Sequence, residues 1–212
     1  MRTTIFRYGG VAASIFLIAL GIGAIVIGFA GRSDVGNQLS KEAIVGTPDM
    51  TPAAIKQEAQ DAGLRNVSLP TCSVAGQSID TGSEARCFAS YMRIHALEAT
   101  GGQTYAQMPR YATADGKGTN EATQALTRNG QPVSNAARDI WVTETALTTA
   151  LNTSYFAQSV ALFAIVMGAA LLLTGIGFLL LTTGLLAATG DGIRVRRRGH
   201  AAAATPAHPA AS

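Results

Sequence analysis

No charged residue stands between Glu144 and Asp191, and most of that interval is one apolar run. It enters at Tyr155-Phe156, continues through Val160-Ala161-Leu162-Phe163 and closes on Leu185-Leu186-Ala187-Ala188. A bilayer core about 30 Å thick is crossed by roughly 20 apolar residues in a helix, and this run is longer than that. Arg194-Val195-Arg196-Arg197-Arg198 follows directly. The stretch reads as a membrane span, 155–189, with a basic stop on its far side at Arg194, Arg196, Arg197 and Arg198. Those arginines suit an anionic lipid surface, where each contributes about 1 kcal/mol.

A second uncharged stretch, Tyr8–Gly31, contains the apolar run Val11–Ala30 behind a short lead carrying Arg2 and Arg7. Together the two stretches explain why only 14% of residues are charged, against about 25% in a typical soluble domain. The segment Arg32–Glu144 holds ten basic and twelve acidic residues, so the excess positive charge sits beside the two apolar runs. Without a basic patch interleaved with aromatics, no nucleic-acid partner is expected. Basic residues in short segments flanking a span stay cytoplasmic. Both termini are therefore expected inside the cell membrane of a multi-pass protein, with the middle outside. A secretory signal has an apolar core of about 7–15 residues. The first run is longer, which favours a retained anchor over cleavage near Gly28-Phe29-Ala30.

Small residues recur every seven places in both runs: Ser14, Gly21 and Gly28 in the first, Ala161, Gly168, Gly175 and Thr182 in the second. That period keeps a residue on one face of a helix in a left-handed supercoil. In lipid, helices associate where small residues let backbones approach. The expected arrangement is an antiparallel hairpin packed stripe against stripe, although the same stripes would also serve self-association.

The fold class expected is an all-α membrane protein: a two-helix transmembrane hairpin carrying a mainly helical extracytoplasmic domain, with room for one short β-hairpin. The divisions are a cytoplasmic N-terminus at 1–9, a span at 10–31, the extracytoplasmic domain at 32–154, the span at 155–189, and a basic, disordered cytoplasmic tail at 190–212. Val35, Leu39 and Ala43 recur every four, as if the first helix continued outward to Ile44 before Gly46-Thr47-Pro48 stops it. Thr51 caps a second helix with Pro52 in its first turn and Gly63 just past its end. Asn66–Leu69 reads as a short strand. Asp80 or Thr81 caps a third helix through Ala99, with Glu84 suited to its positive first turn. Phe88, Tyr91, Met92, His95 and Ala99 share one face of it. Asp115-Gly116-Lys117-Gly118 is a turn, Thr119–Leu126 a short helix, and Asn129-Gly130-Gln131-Pro132 a break. From Ser134, a plausible N-cap, no Gly or Pro intervenes until Gly168, so the second span continues a helix from about 135. Asn135–Ala188 as one helix is about 80 Å long.

Cys72 and Cys87 both lie in the outer segment. In an oxidising compartment such a pair is most simply a disulfide, the alternative being two buried thiols. Closing a loop of about 15 residues contributes about 3 kcal/mol in the chain-entropy treatment.

Chemistry is sparse. His95 is the sole histidine outside the tail, with Tyr91 and Glu98 about a turn away on either side. A lone histidine on an apolar helix face is more often a packed residue than a catalyst. Without a second histidine or a clustered carboxylate, no metal and no cofactor are expected. Asp115-Gly116-Lys117-Gly118-Thr119 lacks the spacing of a phosphate loop and the acidic pattern of a calcium loop.

Three stretches carry a resemblance: Arg32-Ser33-Asp34-Val35 with Gln38-Leu39 and Glu42-Ala43-Ile44; Ala89 to Ala99 with Gly102-Gln103-Thr104-Tyr105-Ala106; and Thr145–Tyr155. On these the chain resembles a group of actinobacterial two-pass membrane proteins of unknown function. Some of that group carry the label of an aromatic ring-opening dioxygenase, a reaction that needs an iron site His95 alone does not build. Three functions are weighed. The first is a non-enzymatic module whose ectodomain binds or scaffolds an envelope or membrane-complex partner, or a second copy of itself. The second is a sensor-like relay subunit, and the third an envelope enzyme using His95.

Overall fold

The computed structural model describes residues 2–201, with side chains over 8–184. Four α-helices dominate: α1 (Arg2–Lys41), α2 (Pro52–Asp61), α3 (Gly82–Ala99) and α4 (Ala137–Ala201). A two-stranded antiparallel ribbon, β1 (Thr127–Arg128) with β2 (Gln131–Pro132), precedes α4. Two of the helices, α1 and α4, are long and apolar enough to cross a membrane. The chain forms two compact units, Met1–Phe29 with Phe163–Ser212, and Ala30–Leu162.

In the first unit, α1 and α4 meet through their small residues. Among its described residues, only Ser14, Gly21, Gly28, Gly168 and Gly175 are buried. A Cβ added at Gly21 would lie 2.7 Å from the Gly168 carbonyl oxygen, and one at Gly175 would lie 3.0 Å from that of Ser14. At Gly10, one would meet the Thr182 methyl at 2.7 Å. The order of these pairs makes the helices antiparallel. Hydroxyls here are satisfied within their own helix: Ser14 Oγ donates to the Gly10 carbonyl at 2.8 Å, and Thr182 Oγ1 to that of Phe178 at 2.8 Å. Such back-bonding to the preceding turn lets Ser and Thr sit inside an apolar helix.

The second unit has its own core. Leu39, Met50, Ile55, Val74, Ile79, Phe88, Tyr91, Ile94, Leu97 and Trp141 are among its buried residues. α2 starts where Thr51 Oγ1 accepts the Ala54 N–H at 3.2 Å, with Pro52 in the first turn, and Gly63 follows its end at φ +66. α3 starts with a capping box: Thr81 Oγ1 accepts the Glu84 N–H, and the Glu84 carboxylate accepts the Thr81 N–H at 2.9 Å. Ile55 and Ala59 of α2 are buried where it packs on α3. Before α2, the chain is pinned to the segment after Cys72 by Gly46 N–H to the Gln77 carbonyl at 2.9 Å and Ile79 N–H to that of Ile44 at 2.9 Å. A Cβ on Gly46 would overlap the Val74 carbonyl, so this crossing admits only glycine.

The sequence reading needs correcting in several places. α1 ends at Lys41 rather than Ile44, because Ala43 turns the chain with φ +50. Asn66–Leu69 forms no strand: Asn66 sits at φ +59, outside the extended region, and Pro70 follows. The helix expected over Thr119–Leu126 shrinks to one 3-10 turn at Ala122–Gln124. Asn129-Gly130, read as a break, is a two-residue hairpin turn with φ +51 and +73, conformations that match the twist of the strands it joins. Ser134 is not the cap of α4. It bridges to Tyr111, and Asn135 Oδ1 accepts the Ala137 N–H at 3.1 Å instead. At its other end α4 continues past 189 to Ala201, which includes the backbone of Arg194, Arg196, Arg197 and Arg198. The remaining tail, 202–212, lies outside the described residues.

Candidate functional site

Tight turns and helix packing bring three chemical groups together within the Ala30–Leu162 unit. Asp49 occupies the turn before α2, closed by the Met50 N–H to the Thr47 carbonyl at 3.0 Å. Glu58 follows on α2, beside buried Ala59. The packing of α2 on α3 sets both against His95. His95 Nε2 lies 3.3 Å from Asp49 Oδ2 and 3.5 Å from Glu58 Oε2. Neither contact has hydrogen-bond geometry: Nε2 and the second Glu58 oxygen, Oε1, are both buried without a partner. The three potential ligand atoms lie within 4.8 Å of one another. The expectation that His95 lacks a clustered carboxylate is therefore corrected.

Burial raises the Glu58 carboxyl to a pKa of about 7, helped by the neighbouring carboxyl of Glu98 and by repulsion from Asp49. Two carboxyl groups thus face one imidazole, with that of Glu98 beside Glu58.

His95 also borders an open groove of about 510 Å³ between α3 and the start of α4. Met92, Ala96 and Ala99 form one wall, and Ala136 and Ile140 the other, with Asp139 and Glu144 adding carboxylates. Glu144 is 4% exposed and accepts a hydrogen bond from Thr145 Oγ1 at 3.3 Å. Behind the groove, buried Trp141 donates its indole N–H to the Gln103 carbonyl at 2.8 Å and to Thr100 Oγ1 at 3.2 Å. Arg93 stacks over that indole at 5.3 Å, and Arg86 over Tyr155 at 4.6 Å. Further along α4, Gly82 N–H donates to Gln158 Oε1 at 2.9 Å, so the first turn of α3 lies against α4.

The residues singled out from sequence fall in separate places. Cys72 and Cys87 are joined in a disulfide with Cα atoms 6.1 Å apart. Ser14, Gly21, Gly28, Gly168, Gly175 and Thr182 belong to the helix pair, and Ala161 meets Gly31 at the edge of the second unit. The side chains of Arg194, Arg196, Arg197 and Arg198 lie outside the described residues. Asp49 and Glu58 were missed. They sit far from His95 in sequence, and only Glu98, one turn along α3, carried a local signal. No family model, curated protein or solved structure matches the chain.

Proposed function

We propose that this chain is a non-enzymatic integral membrane protein, of the kind found in the actinobacterial two-pass group. In this reading α1 and α4 both span the cell membrane, both termini are cytoplasmic, and the Ala30–Leu162 unit lies outside. There it binds or scaffolds an envelope or membrane-complex protein, or a second copy of itself. One observation carries the membrane part. Phe16, Ile22, Val26, Ile27 and Phe29 of α1, and Phe163, Val166, Leu173, Leu180 and Leu181 of α4, are all at least 50% exposed. The buried residues of the same unit are small, an inversion that suits lipid and not water. The disulfide and the open groove beside His95 support an extracytoplasmic binding role for the second unit.

Crosslinking in intact membranes tests the binding role, with a photoreactive residue in place of Met92 on the groove wall. A discrete crosslinked species, lost when the residue is moved to exposed Lys117, is expected. A chain that remains a monomer at every groove position would refute it. Reporter fusions at Ser212 and within Gly101-Gly102 check the topology, the first being active inside and the second outside.

One further observation favours a relay as the second reading: α4 runs 65 residues, Ala137 to Ala201, as a single helix. Long helices transmit small axial shifts. Deleting 194–212 abolishes the output of a relay and leaves a pure scaffold working.

A further inference from the structure

His95 Nε2 is an odd atom in this protein. It is buried and polar, faces two carboxylate oxygens, and bonds to neither. A plain ion pair would turn a ring N–H onto one oxygen at about 2.7–2.9 Å. Here the nitrogen stands back from both, 3.3 Å from one and 3.5 Å from the other. Those separations have another meaning. Zinc–nitrogen and zinc–carboxylate bonds are about 2.0–2.2 Å, so two ligand atoms at a tetrahedral ion lie about 3.3–3.6 Å apart. The Nε2 is spaced from each oxygen as one edge of such a tetrahedron.

The donor set agrees with that spacing. One imidazole nitrogen and two carboxylate oxygens suit a first-row divalent ion. They come from three separate pieces of chain, the turn at Asp49, α2 and α3, which the α2–α3 packing holds together. Glu98 adds a third carboxyl group beside Glu58, and no lysine or arginine is paired to the cluster among the described residues. Asp49 is half exposed, giving the site an opening to solvent.

We propose that Asp49, Glu58 and His95 bind a divalent transition-metal ion of the zinc class, through one oxygen from each carboxylate and Nε2 of the imidazole. The fourth position faces solvent. The ion ties the turn before α2 to the middle of α3, and so couples metal occupancy to the rigidity of this unit. The site does not depend on the membrane topology proposed above.

The test uses the full-length chain purified without a histidine tag, stripped with chelator and titrated with Zn²⁺ alone. One ion retained per chain after desalting, with a rise in Tm, is the expected result. His95→Ala, Glu58→Gln and Asp49→Asn are each expected to weaken binding by more than about 100-fold, beyond the 10–100-fold typical of outer-sphere changes. His200→Ala with His208→Ala leaves it unchanged. The near-isosteric Glu58→Gln and Asp49→Asn keep the test open if His95→Ala does not fold. Co²⁺ gives an independent readout, because imidazole and carboxylate ligands in a four-coordinate site intensify its visible absorption. The proposal is overturned if the stripped wild-type chain, once titrated with Zn²⁺, retains no ion after desalting. It is equally overturned if the three variants bind like wild type, or if binding disappears with the tail histidines.

Discussion

The hydroxyl of Tyr91 donates to the carbonyl of Cys72 at 2.6 Å, and Cys87, one turn earlier on the same helix, holds Cys72 through sulfur. Two successive turns of α3 thus grip one loop residue, once covalently and once by a hydrogen bond whose donor is fully buried. Tyr91→Phe strands the Cys72 carbonyl and is expected to cost about 1–3 kcal/mol. Cys72→Ala with Cys87→Ala is expected to cost about 3 kcal/mol, since the loop it frees spans 15 residues. Because both ties act on one residue, the triple variant should lose less than the sum. Denaturant unfolding of the purified chain measures all three; an unchanged midpoint for Tyr91→Phe would show that the hydroxyl contributes nothing.

Gly21 and Gly23 sit two residues apart and differ completely in what an added methyl would meet. At Gly21 it collides with the Gly168 carbonyl oxygen and the Leu172 nitrogen, both at 2.7 Å; at Gly23 nothing lies within 4 Å. Gly21→Ala is expected to cost about 1–3 kcal/mol through forced separation of the helices. Gly23→Ala is expected to be neutral or slightly stabilising. Membrane abundance and resistance to detergent unfolding of the two variants provide the comparison. Equal behaviour would mean that the helices do not pack by this face.

Trp141 offers a separate test of how the start of α4 is held to the end of α3. Trp141→Phe removes the donor to Gln103 and Thr100, yet the Gln103 carbonyl keeps the Thr100 hydroxyl at 2.7 Å. The loss is therefore expected near the lower end for a buried hydrogen bond, about 1 kcal/mol. Trp141→Ala also opens a cavity and is expected to cost about 3–5 kcal/mol. Thermal unfolding of the two variants should separate the terms. If Phe costs as much as Ala, the hydrogen bonds dominate instead of the ring.

Glu58 makes stability fall as pH rises. Its folded pKa, about 7, stands above the ordinary 4.5, so the folded chain holds a proton that the unfolded chain has released. The full stability is present below about 4.5, is lost progressively from there to about 7, and stays lost above. Glu58→Gln cannot titrate. In chelator, it is expected to match wild type near pH 4.5 and to exceed it above pH 7. Urea midpoints across this range measure the gap, and a gap that widens toward acid would contradict the assignment.

Local chemistry was readable from the sequence because its partners are close in the chain. Thr51 with Pro52, and Thr81 with Glu84, are capping patterns complete within four residues, and both helices start there. Cys72 and Cys87 had no competing partner. The spacing of Ser14, Gly21 and Gly28 reported which helix face is buried, because a seven-residue repeat returns to one face. Asn129-Gly130 was legible in principle, since that dipeptide favours φ > 0 at both positions, but the absence of long alternating strands around it hid the hairpin. The carboxylates facing His95 were not legible. Asp49 reaches it only because α2 docks on α3 through Ile55 and Ala59, and that docking is a tertiary event with no trace in the spacing around His95.

The repeat in the helix pair has a mechanical consequence. Sliding α4 by seven residues along α1 would set Gly175 against Gly21 and Gly168 against Gly28, glycine facing glycine again. At offsets in between, a Cβ would be forced against backbone that tolerates none, as the 2.7 Å clearances at Gly21 and Gly168 require. The nearest alternative register for this face therefore lies seven residues away, about 10 Å along the axis.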